Sequence, residues 1–532
     1  MEKRLFLAVG LSLLVVFVFQ SYFAPKQPVV AVSQHNAAAV TGSPSDTPLD
    51  SKQSLDPMEV TSKLAFKPEF YQVEAGKFNF DVTNSGGSIT GVYLNDYKYA
   101  FPIKGLSELK VFSSKAFSYV RNNSSSFSML YKDELFDVEK KVSVDNYKIT
   151  TTYIIKNNLK VFQAIDLTTK PFDIDLSRLD NDTLKSEWTL FEYSFKLKNK
   201  IERKEQVNNF SEKWNKEESK VFDWIAFRDR YFATIVEPKD SFNGYITKHV
   251  GDKQLDFYAT VPNKTIEAGK TLEYTLTVFC GPQKLDILKQ ANPGFEKVMV
   301  FSSWGWLDLI AKGIYWVLGA VHKILPIWGL CIIVVSLLVY GAMYPLTLKS
   351  MMSMKKMQAL QPKMTQLKEK YKDKPEQLNK EIVELYRVNN VNPVSGCLPM
   401  LLQMPIFVGL YQVLWRSIYF RGESFLWIKD LSMPDHLIKF SAPVMFVGQY
   451  LNILPLMMVG IMAVQQAITI KNAAGGDPEQ VQQQKMMAVM MPVILGIMFY
   501  NFASGLNLYF VVFYSLSALS QWHITRDSKV VV

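Results

Sequence analysis

The chain has 532 residues and a formal net charge of +10, and its length allows two or three domains. Charged residues are 20% of the chain, but they concentrate in a mixed segment over 58–289, and the segment from 324 onward is mostly uncharged. Basic residues gather beside apolar runs, where they would meet lipid headgroups, so the charge does not indicate a nucleic-acid partner. Three cysteines without a CxxC motif and five scattered histidines exclude an obvious disulfide framework, zinc site or redox site.

Several long stretches of the chain lack Asp, Glu, Lys and Arg. They are residues 5–25, 324–348, 388–415, 440–470 and 486–525. A helix of about 20 apolar residues crosses a hydrocarbon core of about 30 Å, so the last stretch accommodates two spans. Residues 501–505, NFASG, are typical of the tight turn between them. We therefore predict about six membrane spans.

The first span has the charge pattern of a signal sequence. Lys3 and Arg4 precede the apolar residues, and the following SYFAPKQP contains no obvious small-x-small cleavage site. This pattern favours an uncleaved anchor, and a cleaved signal peptide is the alternative.

The distribution of Lys and Arg predicts the orientation of the spans. The segment 349–396 contains ten Lys or Arg residues against five acidic residues, so it is expected on the inside. Lys3, Arg4, Arg526 and Lys529 also belong inside, and the segment 417–439, with three charges of each sign, can lie outside. Six spans satisfy all these assignments.

The segment after the first span predicts a flexible tether and then an exported β-sandwich. Residues 24–57 are rich in Ser, Ala, Val, Pro, Gln and Thr, as in linkers. Apolar residues then alternate with polar ones at Phe78, Phe80 and Val82, and turn residues follow at intervals. A carbohydrate enzyme is one interpretation of such a sandwich, but no motif places a carboxylate beside His249, which favours a binding or spacer domain.

Two helical features flank the second span. In residues 304–323, apolar residues recur at spacings of three and four (Trp306, Ile310, Ile314, Val317, Val321), which predicts an interfacial helix or a helix packed on the sandwich. In segment 349–396, two short apolar repeats are separated by residues 373–376, and Pro375 is suited to begin the second helix. This basic hairpin is either a dock for ribosome, nascent chain or anionic lipid, or a solvated loop.

Polar side chains within the predicted spans are uncharged. They include Ser336, Tyr340, Gln403, Gln412 and Asn507, and no Lys, Arg, Asp or Glu lies in the middle of a span. An ion-coupled transporter usually needs such a charge, so this pattern disfavours a pump. The polar residues either line a hydrated groove or hold the helices together by hydrogen bonds.

Three stretches and one proline together resemble the YidC insertases, relatives of the mitochondrial Oxa and chloroplast Albino proteins. The stretches are residues 341–364 (GAMYPLTLKSMMSMKKMQALQPKM), 391–411 (VNPVSGCLPMLLQMPIFVGLY) and 503–512 (ASGLNLYFVV), and the proline is Pro492. The N-terminal anchor and the long exported segment resemble the Gram-negative form. The resemblance implies a multi-domain protein, with a polytopic α-helical bundle of six spans, five of them forming the core, and a periplasmic all-β supersandwich.

The expected organisation follows from the spans, their charges and this resemblance. It comprises a signal-anchor span (1–23), a linker (24–57), the β-supersandwich (58–290), an interfacial helix (298–324), the second span (325–348), the cytoplasmic hairpin (349–396), the third span (397–418), a periplasmic loop (419–450), the fourth span (451–470), a cytoplasmic loop (471–485), the fifth span (486–502), the sixth span (506–525) and a cytoplasmic tail (526–532).

The resemblance implies an inner-membrane insertase and chaperone, not an enzyme, that acts alone or with the Sec translocon and uses no cofactor. A groove open to cytoplasm and lipid would receive nascent inner-membrane proteins, and its residues by resemblance are Ser336, Tyr340, Gln403, Met404, Phe407, Asn501, Asn507, Tyr509 and Phe510. The ribosome is a further candidate partner, while nucleic acids and small-molecule substrates are not expected. The recruiting hairpin would use Lys355, Lys356, Lys363, Lys368, Lys370, Lys372 and Arg387.

The sequence departs from the family pattern in its groove. The family typically has an arginine just before the Gly-x-Met-Tyr-Pro motif, and this chain has Tyr340 there. An arginine that pairs with acidic substrate tails is therefore not expected here, although the tyrosine hydroxyl retains hydrogen-bonding capacity. Phe510 stands where many relatives have tyrosine, and the neighbouring Tyr509 is retained. The apolar residues 440–450 before the fourth span have no counterpart in this interpretation.

Overall fold

The computed structural model describes residues 66–178, 191–198, 200–204, 210–302, 304–372, 374–389, 391–392, 398–444, 448–472 and 478–527. The predicted signal anchor (1–23), the tether (24–57) and the end of the tail (528–532) lie outside the described residues.

The first part of the described chain is built almost entirely from β-strands. They are β1 (Phe70–Ala75), β2 (Phe78–Thr83), β3 (Ile89–Leu94), β4 (Tyr99–Ala100), β5 (Ile103–Lys104), β6 (Glu108–Leu109), β7 (Ser118–Asn123), β8 (Ser126–Lys132), β9 (Phe136–Asp145), β10 (Lys148–Asn157), β11 (Gln163–Ile165), β12 (Thr169–Lys170), β13 (Asp173–Asp175), β14 (Glu192–Lys196), β15 (Ile201–Lys204), β16 (Lys216–Glu218), β17 (Trp224–Arg228), β18 (Phe232–Pro238), β19 (Gly244–Gly251), β20 (Gln254–Thr260), β21 (Lys264–Ile266) and β22 (Thr271–Pro282).

The strands of this β-rich domain form stacked antiparallel sheets. The largest sheet has the strand order β15-β14-β17-β18-β22-β10-β9-β8-β7, and a second sheet runs β16-β19-β20-β12-β6, with β13 and β5 attached beside it. Strands β9 and β10 pair from Asp145↔Lys148 to Phe136↔Asn157 around a turn in which Asn146 has φ +52°, a conformation that Asn tolerates. The predicted β-sandwich is confirmed.

One face of each long strand supplies the core of this domain. The predicted alternation is confirmed at Phe78, Phe80 and Val82, which are all buried. Tyr153 and Ile155 on β10 are buried in the same cluster, which continues between the sheets. A period of two buries only one strand face, so residues of the other face contact solvent or another layer.

Helices form most of the rest of the described chain. They are α1 (Leu285–Ala291), α2 (Gly305–His322), α3 (Trp328–Ala359), α4 (Gln361–Lys370), α5 (Pro375–Val388), α6 (Leu398–Arg416), α7 (Ile453–Asn472), α8 (Pro478–Phe499) and α9 (Ser504–Asp527). Helix α9 packs on α7 and α3, helix α8 packs on α7, and α2 packs on α6 and α3.

Two helix boundaries differ from the expected organisation. Helix α3 does not end at residue 348 but continues through Lys349 and Lys356 to Ala359, so the second span and the start of the hairpin are one helix. Helix α8 begins at Pro478, eight residues before the expected start of the fifth span. Charged residues mark where a helix leaves the lipid, and they do not end the helical hydrogen bonding itself. Pro375 does begin α5, as predicted.

The predicted helix is present, and the residues that it buries against protein lie one position after the predicted apolar stripe. Helix α2 covers Gly305–His322, which is shorter than the expected 298–324, and residues 295–298 form a 3₁₀ turn. The buried residues are Leu307, Ala311, Tyr315 and Leu318, not the stripe that begins at Trp306. Because Trp306, Leu309 and Trp316 make the exposed face apolar as well, periodicity alone could not select the inner face.

The apolar segment 440–450, for which the resemblance gave no counterpart, contributes to the two strands of a β-hairpin. Strands β23 (Ile438–Val444) and β24 (Gly448–Leu451) pair antiparallel with each other, directly before α7. A short apolar run can form a strand or a helix, and the sequence pattern does not distinguish them.

One helix among the described residues, over Trp328–Met357, is long and apolar enough to cross a membrane. Shorter apolar helical segments cover Ile453–Ile468 and Ala488–Phe499. The number of spans therefore stays a prediction.

Candidate functional site

A polar contact joins two of the apolar helices. Gln403 on α6 donates a hydrogen bond from Nε2 to the Tyr509 hydroxyl on α9 over 2.6 Å. Tyr509 is completely buried and Gln403 is half-buried. The other amide oxygen, Gln403 Oε1, is screened from solvent and accepts no hydrogen bond from the described residues. A buried amide oxygen without a donor costs free energy, so Gln403 Oε1 would be stabilised by a donor that reaches it.

Tyr340 reaches the same region through aromatic contacts. Its ring meets Phe513 edge-on with 5.5 Å between ring centroids, and Phe513 stacks on Tyr509 at 5.8 Å. Tyr340 is buried, although it replaces the arginine that the resemblance would supply. The structure thus brings Tyr340, Tyr509 and Gln403 together from three helices.

Ser336 is buried one turn away from Tyr340 on α3. Its hydroxyl donates to the carbonyl oxygen of Ile332 in the same helix over 2.7 Å. This local bond satisfies the hydroxyl, so among the described residues Ser336 makes no hydrogen bond to another helix.

An aromatic cluster adjoins the polar pair. Phe407 on α6 lies 5.4 Å from Phe510 and 5.7 Å from Phe499, measured between ring centroids. Phe510 contacts Tyr509 at 5.4 Å, and the half-buried Met404 packs against the same cluster. An apolar wall beside a polar pair can receive a chain that carries both kinds of side chain.

The two predicted asparagines lie at and just after the turn between α8 and α9, and Asn507 contacts Phe499 of this cluster. Asn501 is exposed in that turn. Asn507 is completely buried, and its amide nitrogen donates to the carbonyl oxygens of Phe499 and Phe502, which holds the turn together. The structure therefore gives Asn507 a structural role at the end of the helix pair.

A second polar pair was not selected from the sequence. Gln465 on α7 donates to the Ser517 hydroxyl on α9 over 2.9 Å, two turns beyond Tyr509 along α9. Both residues lie in predicted spans. Ser and Gln are common at ordinary contacts between helices, so nothing in the sequence indicated that these two residues pair.

The seven basic residues of the hairpin lie on or just before α4 and α5. Lys355, Lys356, Lys363, Lys370, Lys372 and Arg387 are exposed, and Lys368 is half-buried. Helices α4 and α5 contact each other, with the Tyr386 hydroxyl 3.1 Å from Met364 Sδ. The structure therefore forms the predicted antiparallel hairpin and keeps most of its positive charge on the surface.

The β-rich domain contacts the helices at the end of α6 and in the loop that follows α6. Arg230 donates from Nε to the backbone oxygen of Trp415 at the end of α6, and from Nη2 to the backbone oxygen of Ser432 over 3.1 Å. Arg416 donates to the backbone oxygen of Val300 over 2.9 Å. The end of α6 and the loop at Ser432 thus contact the β-rich domain and the segment that follows it directly.

A buried ionic cluster supports this junction. Glu192 contacts Arg228 and Arg203, each at 2.8 Å. Burial raises the pKa of the Glu192 carboxyl, but Arg228, Arg203 and Arg416 outweigh this effect and lower the pKa to about 2. The carboxylate therefore stays ionised. The described residues include no group of three or more His, Cys, Asp or Glu side chains arranged to hold a metal ion.

Solved structures align with about two fifths of the chain at low TM-scores. A galactose mutarotase related enzyme from Lactobacillus acidophilus aligns at 12% identity and a TM-score of 0.30, over 40% of this chain and 97% of that chain. A putative aldose 1-epimerase from Escherichia coli K12 aligns at 10% identity and a TM-score of 0.28, over 41% of this chain and 100% of that one.

Curated relatives are similar over about half of their length. Proteins named "Membrane protein insertase YidC" from Herminiimonas arsenicoxydans and Dechloromonas aromatica (strain RCB) are 37% and 38% identical over 57% of this chain. A protein of the same name from Chlorobium phaeovibrioides is 33% identical over 59% of this chain. The chain spans about half the length of the curated relatives it matches, with 52% of the first two and 54% of the third covered.

Two family models match consecutive parts of the chain. The model described as "YidC periplasmic domain" matches residues 103–317, and the model described as "60Kd inner membrane protein" matches residues 320–530. The first match covers most of the β-rich domain and helix α2, and the second covers α3 to α9. The chain belongs to the YidC family of inner membrane proteins with a periplasmic domain.

Proposed function

We propose that this chain inserts proteins into the inner membrane and assists their folding. A nascent chain would enter between α3, α6 and α9, contact the polar pair and leave sideways into lipid. The observation that carries the proposal is the hydrogen bond from Gln403 to Tyr509, beside an amide oxygen that has no partner among the described residues, within helices that are mostly apolar.

The physical advantage of such a site is a lower cost for polar groups in the membrane. A charged side chain at the centre of a bilayer costs about 2.5–3.5 kcal/mol on insertion scales. Gln403 Oε1 can accept a hydrogen bond from a passing chain, and the Tyr340 hydroxyl can donate or accept one. Because none of these groups is charged, they would serve tails of either sign and hold none of them tightly.

The proposed arrangement has six spans, five of which form the core, with both termini in the cytoplasm. The contacts of Arg230 with Trp415 and Ser432 support closure on the periplasmic side. The exposed lysines of α4 and of the end of α3 support recruitment of nascent chains, ribosomes or anionic lipid from the cytoplasm. Cooperation with the Sec translocon is part of this proposal. The action needs no covalent chemistry and hence no catalytic residue.

The polar pair can be tested with one matched pair of substitutions. Gln403→Met keeps the side-chain volume and removes both the donor and the acceptor. Gln412→Met makes the same change nine residues later on α6, half a turn around the helix, given about 100° per residue. Both variants would be reconstituted in lipid vesicles with a single-span substrate that carries a polar exported tail.

We expect Gln403→Met to lose most insertion of this substrate and to keep insertion of a substrate with a short apolar tail. Gln412→Met should resemble the unmodified chain with both substrates. Protease protection of the exported tail measures insertion. Equal insertion by the two variants with the polar tail would contradict the proposed role of the pair.

A further inference from the structure

The β23–β24 hairpin is the part of the chain that the proposed function leaves unused. It lies between α6 and α7, and in the described part of the chain its two strands belong to a two-stranded sheet of their own. Ile438 pairs with Leu451 and Lys439 with Tyr450, so the base of the hairpin has a defined register. Its outer edges leave backbone groups without a partner strand.

The base of the hairpin is fixed to the start of α7. Asp435 Oδ2 accepts hydrogen bonds from the backbone nitrogens of Ile453 (2.8 Å) and Leu454 (3.1 Å), in the manner of a helix N-cap. Asn452 donates from Nδ2 to the backbone oxygen of Tyr500 over 2.9 Å, and the Tyr500 hydroxyl donates to the Tyr450 oxygen over 2.9 Å. The orientation of the hairpin is therefore set by the helix bundle.

A contact of the loop before the hairpin places the hairpin at the periplasmic end of the bundle. The loop before the hairpin provides the Ser432 oxygen that receives a hydrogen bond from Arg230 of the β-rich domain. Residues 103–317, which include Arg230, match the periplasmic domain of the family. The hairpin and this domain thus lie at the same end of α7.

The first hairpin strand begins with one apolar and one charged side chain on opposite faces. Ile438 and Lys439 pair in register with Leu451 and Tyr450, so their side chains point to opposite faces, and the register shifts between Lys439 and Val444. Ile438 is 50% exposed, and Lys439 and Ser441 are exposed as well, while Phe440 is partly buried. The Lys439 ammonium lies 5.9 Å from the centre of the Tyr450 ring, on the polar side.

We propose that the apolar face of this hairpin lies on the outer leaflet of the membrane, at headgroup depth, beside α7. Continuity with α7 selects lipid as the occupant, since Leu456 and Met457 in the first turns of this apolar helix are also exposed. Lys439 on the other face can reach lipid phosphates. The unpaired strand edges cannot be satisfied in hydrocarbon, which limits the depth to the interface.

The inference depends on α7 being a membrane span and does not depend on insertase activity. The test uses the full chain with its three native cysteines replaced, reconstituted in vesicles of phosphatidylethanolamine and phosphatidylglycerol. One variant carries Ile438→Cys and the other Ser441→Cys, each labelled with an environment-sensitive fluorophore. Quenching is measured with aqueous iodide and with lipids that carry a nitroxide near the headgroup or at the end of the acyl chain.

The label at 438 should emit at shorter wavelength than the label at 441 and be quenched most by the nitroxide near the headgroup. The label at 441 should be quenched more strongly by iodide. Equal iodide quenching at both positions would mean a solvated hairpin and would overturn the proposal. Protection of the 438 label from both iodide and nitroxide lipids would mean a protein contact, with the same consequence.

A second measurement covers the case in which the cysteine-free chain does not fold. A photoreactive amino acid at position 438 or 441 of the otherwise native chain is irradiated in the same vesicles. Mass spectrometry should find lipid adducts mainly from position 438. Adducts to protein, or equal lipid adducts from both positions, would refute lipid docking while leaving the insertion assay unaffected.

Discussion

At the scale of single residues, the cluster at Glu192 places three charged side chains close together near the domain junction. Its carboxylate is buried between Arg228 and Arg203, which also bind the backbone oxygens of Val300 and of residues 297–298 near the domain junction. A buried charge that loses its partner is strongly destabilising, because the remaining charge is left out of water without compensation. Glu192 therefore holds both arginines in place.

We expect Glu192→Gln to lower stability by about 3–5 kcal/mol, because two buried arginines lose their counter-charge. The measurement is the thermal unfolding midpoint of the full chain in detergent. Asp240→Asn is the control, since Asp240 pairs with Lys264 at an exposed site and such pairs contribute about 0–1 kcal/mol. Similar midpoints for the two variants would contradict this assignment.

The ionisation of Glu192 predicts that the stability of the folded chain depends on pH. The Glu192 pKa is about 2 in the folded chain against an ordinary value of 4.5, so folding favours the ionised form. The stabilisation is complete above about pH 4.5 and is lost as the pH falls toward 2. The difference in unfolding midpoint between the unmodified chain and Glu192→Gln should shrink over this acidic range. A constant difference would show that the charge is not responsible.

Individual site residues could be selected from the sequence, but their pairing could not. Gln403 and Tyr509 stood out as polar residues in apolar segments, yet they are 106 residues apart and their contact depends on how α6 and α9 pack. Asn507 is also a polar residue in an apolar segment, but it bonds to its own turn. Polarity within a span thus indicates that a side chain needs a partner and does not identify the partner.

At the scale of elements, the alternation of apolar and polar residues predicted a strand correctly where only one face of the strand is buried. The alternation at Phe78, Phe80 and Val82 predicted β2, and the turn after Val144 was found as expected. The end of α3 was missed because charged residues mark the edge of the lipid and not the end of a helix. The β23–β24 hairpin was missed because residues 440–470 form one uncharged run that contains both strand and helix.

Helix packing supplies a prediction for the pair α7 and α8. A Cβ atom added at Gly496 would lie 2.4 Å from Val459 Cγ2, which is closer than any normal contact. Valine has little rotamer freedom in a helix, so Gly496→Ala should force the helices apart and cost about 1–3 kcal/mol. Thermal unfolding in detergent measures this loss.

The control for this substitution lies on the neighbouring helix. A Cβ at Gly460 of α7 would meet no atom within 4 Å, and alanine favours a helix over glycine. Gly460→Ala should leave the unfolding midpoint unchanged or raise it. If both alanine variants were equally stable, the close approach at Gly496 would not limit the packing of the two helices.

At the scale of the whole molecule, the β-rich domain and the helices form a joint core. Trp224, Phe279 and Phe295 pack in the same buried cluster as residues of α2, α3 and α6, and Ile418 packs in the core of the β-rich domain. The sequence predicted two separate units joined by a helix. It could not predict this junction, because its hydrogen bonds link residues up to about 200 positions apart.

We expect Arg230→Ala to loosen this junction, since it removes two hydrogen bonds and a guanidinium 5.0 Å from the centre of the Trp415 ring. Hydrogen exchange should accelerate at the end of α6 and around Ser432. Arg121→Ala is the control, because the exposed Arg121 bonds only to the Glu74 oxygen among the described residues. Unchanged exchange at α6 in the Arg230 variant would count against a fixed junction.

Helix α3 is longer than a membrane span needs. Its 32 residues extend about 48 Å at 1.5 Å per residue, well beyond a hydrocarbon thickness of about 30 Å. Pro345 within it has no N–H to donate to the carbonyl oxygen of Gly341, and a Cβ added at Gly341 would meet no atom within 4 Å. The missing bond makes Pro345 the position at which we expect α3 to bend, between the part of the helix that packs near the periplasmic domain and the part that carries the basic residues of the hairpin.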